Sequence, residues 1–276
     1  MDEWQRWLAV ERYTGLTEQE TRQGTALLAA IRGRLLQETA LAAGEAVLEI
    51  GCGAGEFLPA LLQTVGAGGR VAALDVSDGL CAQARAVLAA HPLGAVGEVV
   101  RGDMAALPFP PATFDVVVCR AVLQYAEQAL PAVAAEIARV LRPGGRFASF
   151  EMLSAHERPL LPVPHTAGAA RAHARAAARW RTLPFRLARG ALVRAFAPPA
   201  FGQTTVQTSI ADWRQPFSSD RFARILAQVP RPRCPTLGEL YCADLGPQER
   251  QEWDSLIAGA SHVAQRGAWA YVTAVR

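Results

Sequence analysis

Residues 46–57 read AVLEIGCGAGEF, an apolar run ending in Glu49 and followed by glycines at 51, 53 and 55. A short apolar run bounded by a glycine turn reads as a buried strand. Glycines packed so closely mean that a backbone must come near another group. The pattern then repeats. Apolar runs at 70–75 (RVAALD), 97–101 (GEVVR), 114–119 (FDVVVC) and 146–151 (RFASFE) alternate with helical stretches at 55–65, 78–90 and 127–141. Such alternation reads as repeated βαβ units, which predict a parallel sheet covered by helices on both faces.

The 276 residues allow one large domain, or one domain with a substantial insertion. Apolar residues make up 51% and charged residues 19%, so a sizeable core is available and global disorder is excluded. The start, MDEWQRWLAVERY, has no basic segment followed by an apolar one, so no secretory signal is read. No uncharged apolar run reaches the roughly 18–20 residues that span a bilayer. The expectation is a soluble cytoplasmic protein with no membrane span. The five cysteines (52, 81, 119, 234 and 242) are scattered and form no C-x-x-C pair, so neither a metal site nor a disulfide framework is indicated. All 28 basic residues are Arg, and the chain has no Lys and no Asn, which reads as codon bias. A net charge of +3 does not by itself imply nucleic acid.

Four segments are expected. Residues 1–44 form a helical lead-in that carries Trp4, Trp7 and Tyr13, with a T-E-Q-E capping box at Thr17 opening a helix to about Leu41. Residues 45–151 form the βαβ core. Residues 152–203 read as an Arg/Ala-rich helical lid, bounded by the Pro-rich PLLPVP and FAPPAF. Residues 204–276 supply two closing strands, TTVQTSI and GAWAYVTAV, around a helical insertion at 211–266. Residues 158–211 contain no Asp or Glu but hold Arg158, Arg171, Arg175, Arg179, Arg181, Arg186, Arg189 and Arg194.

A sheet of this kind binds ligands at the carboxyl ends of its strands, where the GCGAG turn sits. The dinucleotide fingerprint is G-x-G-x-x-G/A. Here the third glycine comes one residue early, and position 56 is Glu, which a pyrophosphate would repel. The spacing E-x-G-x-G-x-G argues for a ligand without phosphate, one that needs carboxylates for hydroxyls and for an ammonium group. Two more carboxylates fall at strand ends. Asp75 can accept from a ribose diol. Asp103 can accept from an exocyclic amine, while the Met104 N–H donates to a ring nitrogen. Each carboxylate alone reads equally as a helix cap or turn residue; three at successive strand ends are harder to dismiss.

The ordered motifs EIGCGAG, ALDVS, GDMAALPFPPATFDVVVCR and VLRPGGRF resemble those of the class I S-adenosylmethionine-dependent methyltransferases, especially the ubiquinone/menaquinone-biosynthesis type. The resemblance covers about residues 45–151. It implies a doubly wound, seven-stranded, mostly parallel Rossmann-like α/β sheet with helical lid insertions. GAWAYVTAV would be the antiparallel last strand and TTVQTSI its neighbour. It also implies S-adenosyl-L-methionine as cofactor and S-adenosyl-L-homocysteine as product. The backbone of Gly51, Cys52 and Gly53, with Gly55 completing the turn, would approach the methionine part, and Glu49 its ammonium. Asp75 would hold the ribose, Val76 and Leu80 would flank the adenine, and Asp103 and Met104 would read its edge. Cys119 and Arg120 would line the floor beside the sulfonium.

Methyl transfer from a sulfonium is an in-line displacement, so the protein chiefly aligns the reactants. A base is needed only for a protonated nucleophile. The best-placed bases are His156 and His165, with Glu151 near them; the plainer reading is packing or surface histidines on a lid. Tyr125 and the N-terminal Trp residues are candidates to close the pocket. After the fourth strand the chain reads CRAVLQY, without the N/D-P-P-Y run of amino-methylating enzymes or a Pro-Cys nucleophile. The expected partner is a small-molecule methyl acceptor, with homo-oligomerisation open. An RNA acceptor using the Arg-rich segment, and a non-catalytic scaffold that keeps the fold, are the alternatives.

Overall fold

The computed structural model describes residues 1–11, 18–182 and 186–276. Tyr13 and Thr17, with its expected capping role, lie outside the described residues.

The expected strands form: β1 (Ala46–Ile50), β2 (Arg70–Asp75), β3 (Gly97–Arg101), β4 (Phe114–Arg120), β5 (Leu141–Met152), β7 (Gln203–Pro216) and β8 (His262–Val275). An eighth, β6 (Arg158–Pro162), is added to them. The order is β3-β2-β1-β4-β5-β8-β6, with β7 also paired to β8. Strands β1 to β5 are parallel, and β8 runs antiparallel to β5, β6 and β7. The reversal of order between β1 and β4 opens the crevice in which ligands of such sheets bind.

Two apolar layers cover the sheet. On one face Leu48, Phe114, Val117 and Phe147 pack with Val133 and Ile137 of helix α5 (Leu130–Val140) and Leu192 of helix α7 (Arg189–Ala195). On the other, Val47, Val71 and Val116 meet Leu35 of helix α2 (Glu18–Thr39) and Leu61 of helix α3 (Leu58–Val65). Helix α4 (Asp78–Ala90) joins that second layer through Ala84 and Leu88. Its start is set locally by Ser77, whose hydroxyl accepts the Leu80 N–H at 3.1 Å as an N-cap. The expected helix over 127–141 is shorter: residues 127–129 form a tight 3₁₀ turn, and the PGG segment lies inside β5, with Gly144 at φ 76°.

Strand β8 is the spine of the upper half. Its second part (Trp269–Val275) pairs with β5, while Val263, Ala264 and Arg266 pair with β6. The first part of β8 therefore extends past the carboxyl end of β5. A third apolar cluster is built on this extension. Leu161 and Val263 pack with Ala172 of helix α6 (Ala167–Arg181), Phe222 of helix α8 (Ser219–Leu226), Tyr241 of helix α9 (Leu237–Cys242) and Trp253 of helix α10 (Pro247–Ala258). The segment PLLPVP, read as a lid boundary, is thus largely strand. Its prolines are tolerated because β6 is short and Pro162 ends it. The helical insertion is also narrower than 211–266, because β7 and β8 both continue into it.

The acid-free Arg segment finds its acids on a sequence-distant helix. Arg171 donates to Glu252 from Nε (2.8 Å) and Nη2 (2.5 Å), and Arg175 donates to the same carboxylate at 2.7 Å. Arg179 donates to the Tyr241 carbonyl, and Arg186 to those of Trp180 and Ala155. These guanidinium groups fasten α6 to α9 and α10 and hold the segment after it to the loop that follows β5.

Candidate active site

A cavity of about 410 Å³ opens at the carboxyl ends of β1, β2 and β4. The glycine turn forms one wall. Gly51, Gly53 and Gly55 all have positive φ (70°, 55° and 86°), the left-handed conformation that favours glycine. They do different work. A Cβ on Gly51 would lie 2.3 Å from Val122 Cγ2, so this glycine lets the loop after β4 approach β1. A Cβ on Gly55 would lie 2.9 Å from Ala84 Cα, so this one lets α4 approach. Beside Gly53 there is nothing within 4 Å. Gly51, Cys52 and Gly53 line the cavity; Gly55 does not, and holds the turn against α4 instead.

Asp75 both lines the cavity and pins the turn. It accepts the Gly53 N–H on Oδ2 (2.9 Å) and the Ser77 N–H on Oδ1 (3.0 Å). Burial raises its pKa, and the backbone donors of Ser77, Gly53 and Val76 oppose that rise. Val76 and Leu80 form the next stretch of wall. Asp103 and Met104 follow on the loop after β3, where Asp103 closes a local turn by accepting the Ala105 N–H at 2.8 Å.

Beneath the turn lies Glu49, 3% exposed, whose Oε2 has no hydrogen-bond partner among the described residues. Desolvation pushes its pKa up to about 8, partly offset by the positive charge of Arg120. Cys119 is buried below the cavity wall, while Arg120 lines it. Burial, and then the neighbouring Glu151, push the Cys119 thiol well up, so it is no thiolate nucleophile.

Glu151 is fully buried and does not line the cavity. Its Oε1 accepts the Val122 N–H at 3.4 Å and the Cys119 thiol at 3.6 Å, so it props the loop that carries Val122 and Tyr125. Desolvation pushes its pKa up to about 7. His156 is exposed, and its Nε2 accepts the Arg189 N–H at 3.3 Å. His165 lies against Gly259 at the end of α10. Neither histidine lines the cavity. Among the described residues, no group of His, Cys, Asp and Glu is placed to hold a metal ion.

The outer wall is aromatic. Trp4 and Trp7, on helix α1 (Glu3–Ala9), meet Tyr125 edge-on at 5.1 and 6.0 Å between ring centroids. The Trp7 indole N–H donates to the Val229 carbonyl at 2.8 Å, which ties α1 to the segment between α8 and α9. Leu8, Leu28 and Gln83 also line the cavity and carry no local sequence signal. They arrive on three different helices, and only tertiary packing brings them together.

The site can hold a nucleoside that bears an ammonium group. Asp75 and Asp103 face the cavity and the Gly53 side is open, while Glu49 lies buried beneath the turn and does not line the cavity. Glu56 stands beside the glycine turn, ion-paired with Arg32 at 3.3 Å and Arg120 at 3.6 Å.

A family model described as a methyltransferase domain matches residues 48–149. The demethylmenaquinone methyltransferase of Symbiobacterium thermophilum is 33% identical over 108 residues, 39% of this chain and 43% of that one. The nocamycin O-methyltransferase of Saccharothrix syringae is 32% identical over 176 residues, 64% of this chain and 55% of that one. The chain thus spans about half the length of these curated relatives. Among solved structures, the geranyl diphosphate C-methyltransferase of Streptomyces coelicolor superposes with a TM-score of 0.52 at 15% identity, over 91% of this chain and 80% of that one. The [4+2]-cyclase SpnF superposes with a TM-score of 0.50 at 18% identity, over 90% and 80%. At such identities these two speak to the fold alone, and the cyclase shows that the fold hosts more than one named activity. A methyltransferase-domain model thus matches residues 48–149, and the doubly wound sheet that contains them has the Rossmann-like fold of these solved structures.

Proposed function

We propose that this protein transfers a methyl group from S-adenosyl-L-methionine to a small organic acceptor. The observation that carries the reading is one cavity that joins the Gly51–Gly53 backbone to Asp75, Asp103 and Met104 and closes with aromatic side chains. On this reading Asp75 and Asp103 accept from the ribose and the adenine amine, Val76 and Leu80 flank the base, and Glu49 faces the ammonium. When bound, the sulfonium supplies an already activated methyl group.

The chain's own contribution is alignment and exclusion of water. Val122 and Tyr125 wall the methyl-bearing side, held by the buried Glu151 beneath them. Trp4, Trp7 and Leu28 offer an apolar surface for the acceptor. The engagement of Arg171, Arg175, Arg179 and Arg186 within the lid supports a small acceptor over RNA, whose phosphates would need those charges.

The test is incubation with the methyl-labelled donor and, separately, fractionated small-molecule extracts and total RNA, reading S-adenosylhomocysteine by mass spectrometry. Donor-dependent product with a small-molecule fraction supports the reading. Label in RNA alone would overturn the acceptor class. Bound donor with no transfer to any fraction would overturn the activity.

A further inference from the structure

Strand β7 has an open edge. It pairs with β8 in unbroken register from Gln203–Val275 to Pro216–His262, and among the described residues no strand pairs with its other side. One step past that ladder the Phe217 N–H donates to the Ser261 carbonyl at 2.8 Å. Backbone groups alternate in direction along an antiparallel strand, so the odd-numbered residues of β7 bond to β8. Ile210, Asp212 and Arg214 therefore turn their N–H and C=O groups to the open side. Long edge strands are normally shielded by a bulge, an internal proline or a covering element. Here the register has no bulge, and the one proline is the last residue. Helices α7 and α2 reach β7 in its first half, where Phe196 at the end of α7 accepts the Thr204 hydroxyl and Arg34 donates to Gln207.

The second half carries side chains unusual for a solvated edge. Ile210 is 57% exposed and Trp213 41%. On one face the Trp213 indole stacks on that of Trp269, with ring centroids 6.1 Å apart and planes 23° apart. It lies over Gly267, where a Cβ would stand 2.4 Å from the ring, so this glycine seats the indole on the sheet. On the other face Asp212 accepts from Nε and Nη2 of Arg266, both at 2.8 Å. Arg214 follows on the same face as Asp212. It is exposed, and its guanidinium has no partner among the described residues.

An edge of this kind can take on one more strand, and a two-fold axis presents to it the same edge of a second copy, running antiparallel. We propose that β7 is a homodimer interface, in which two copies of this chain pair about an axis through Trp213 and join their sheets into one. The charges select this register. Asp212 faces the partner's Arg214, and Arg214 faces the partner's Asp212, in pairs that exchange main-chain hydrogen bonds. Each Asp212 then lies between Arg266 of its own chain and the partner's Arg214. Trp213 meets its own copy at the closer, non-hydrogen-bonded spacing, so the indole pairs of the two copies line up on the opposite face. Pro216 lacks an N–H, but its carbonyl still accepts from the partner's Ile210. An axis through Ile210 would instead set Arg214 against Val206 and lose the charge match. Tryptophan and arginine are the side chains that concentrate binding energy in such contacts.

The experiment is sedimentation equilibrium of the full chain, with the wild type beside Arg214→Asp, and disulfide trapping with Trp213→Cys and Ser209→Cys. Thermal melts first establish that each variant is folded. The wild type is expected to be dimeric at about 50 μM. Arg214→Asp sets two acids against each other and is expected to weaken the dimer about tenfold or more. Under mild oxidation Trp213→Cys is expected to form a covalent dimer well above the wild-type background, because the two-fold axis brings this position against itself. Ser209→Cys lies on the same face but faces residue 217 of the second copy, and is expected to stay at background. A wild type that remains monomeric up to about 200 μM would overturn the interface. So would a dimer that Arg214→Asp leaves unchanged and that Trp213→Cys does not trap. Trapping through Ser209→Cys in place of Trp213→Cys would overturn the register and the charge match on which it rests.

Discussion

The carboxylate of Asp2 accepts the hydroxyl of Ser77 at 2.6 Å, joining the first residues of the chain to the start of α4. The same carboxylate accepts the Gln5 N–H as the N-cap of α1 and the Gly79 N–H at 3.2 Å. Helix α1 is thus latched to the cavity rim at one end, and Trp7 ties it to Val229 at the other. Burial works against the Asp2 charge, but the Ser77 hydroxyl and the backbone donors outweigh it and hold its pKa below the usual range. The latch is therefore fully present above the ordinary aspartate value and is lost as pH falls through the depressed one. Asp2→Ala is expected to cost about 1 kcal/mol. Faster hydrogen exchange in α1 and a lower Tm would report it; unchanged exchange would show that the latch is idle.

The glycines of the turn separate stability from binding. Gly51→Ala places a methyl group against Val122 and should lower both Tm and affinity for S-adenosylhomocysteine. Gly53→Ala meets open space and carries only the strain of its positive φ, about 1 kcal/mol. Its methyl group should still obstruct the ligand. The expected result is a small Tm change with a loss of affinity of about tenfold or more. Equal effects of the two substitutions on Tm would contradict this division of labour.

Glu49 makes both stability and binding depend on pH. Its pKa in the fold is raised by burial to about 8, so its contribution is fully present below the unfolded value near 4.5. Stability then falls as pH rises through about 8. Glu49→Gln should flatten that slope by an amount on the order of a few kcal/mol. An ammonium facing Glu49 favours the ionised form, so binding of S-adenosylhomocysteine near neutral pH should release a proton. Calorimetry in buffers of different ionisation enthalpy would detect the release, and Glu49→Gln should abolish it.

Arg171 and Arg175 fasten α6 to α10. Glu252→Gln removes the carboxylate shared by Arg171 and Arg175. Amide exchange in α6 should accelerate several-fold and become less sensitive to salt, while affinity for S-adenosylhomocysteine stays within about twofold. A large loss of affinity would place this ion pair in the site instead.

Much of the core was legible because its signals are local. The alternation of apolar runs located β1 to β5, and the spacing of Gly51, Asp75 and Asp103 located the cavity, with Glu49 buried beneath its wall. What was not legible depends on distant segments meeting. The RPLLP strand was hidden by its prolines, because only the overhang of β8 gives it a partner. Arg171 and Arg175 lacked acids in sequence and found them on Glu252. The same applies to the site. Gly55 shares the spacing of the other two glycines, but the arrival of Ala84 gives it a packing role. His156 and His165 stand near the right strand in sequence, yet His156 falls in the break between β5 and β6 and His165 past the end of β6, and neither lines the cavity.

The central claim is that the cavity at the carboxyl ends of β1, β2 and β4 takes S-adenosylmethionine. Titration of the purified protein with S-adenosylhomocysteine, beside Asp75→Asn, tests it most directly. The account predicts one-to-one binding in the micromolar range, weakened about tenfold or more in the variant. A folded wild-type protein that gives no binding up to about 1 mM ligand, or an Asp75→Asn variant that binds as tightly, would contradict it.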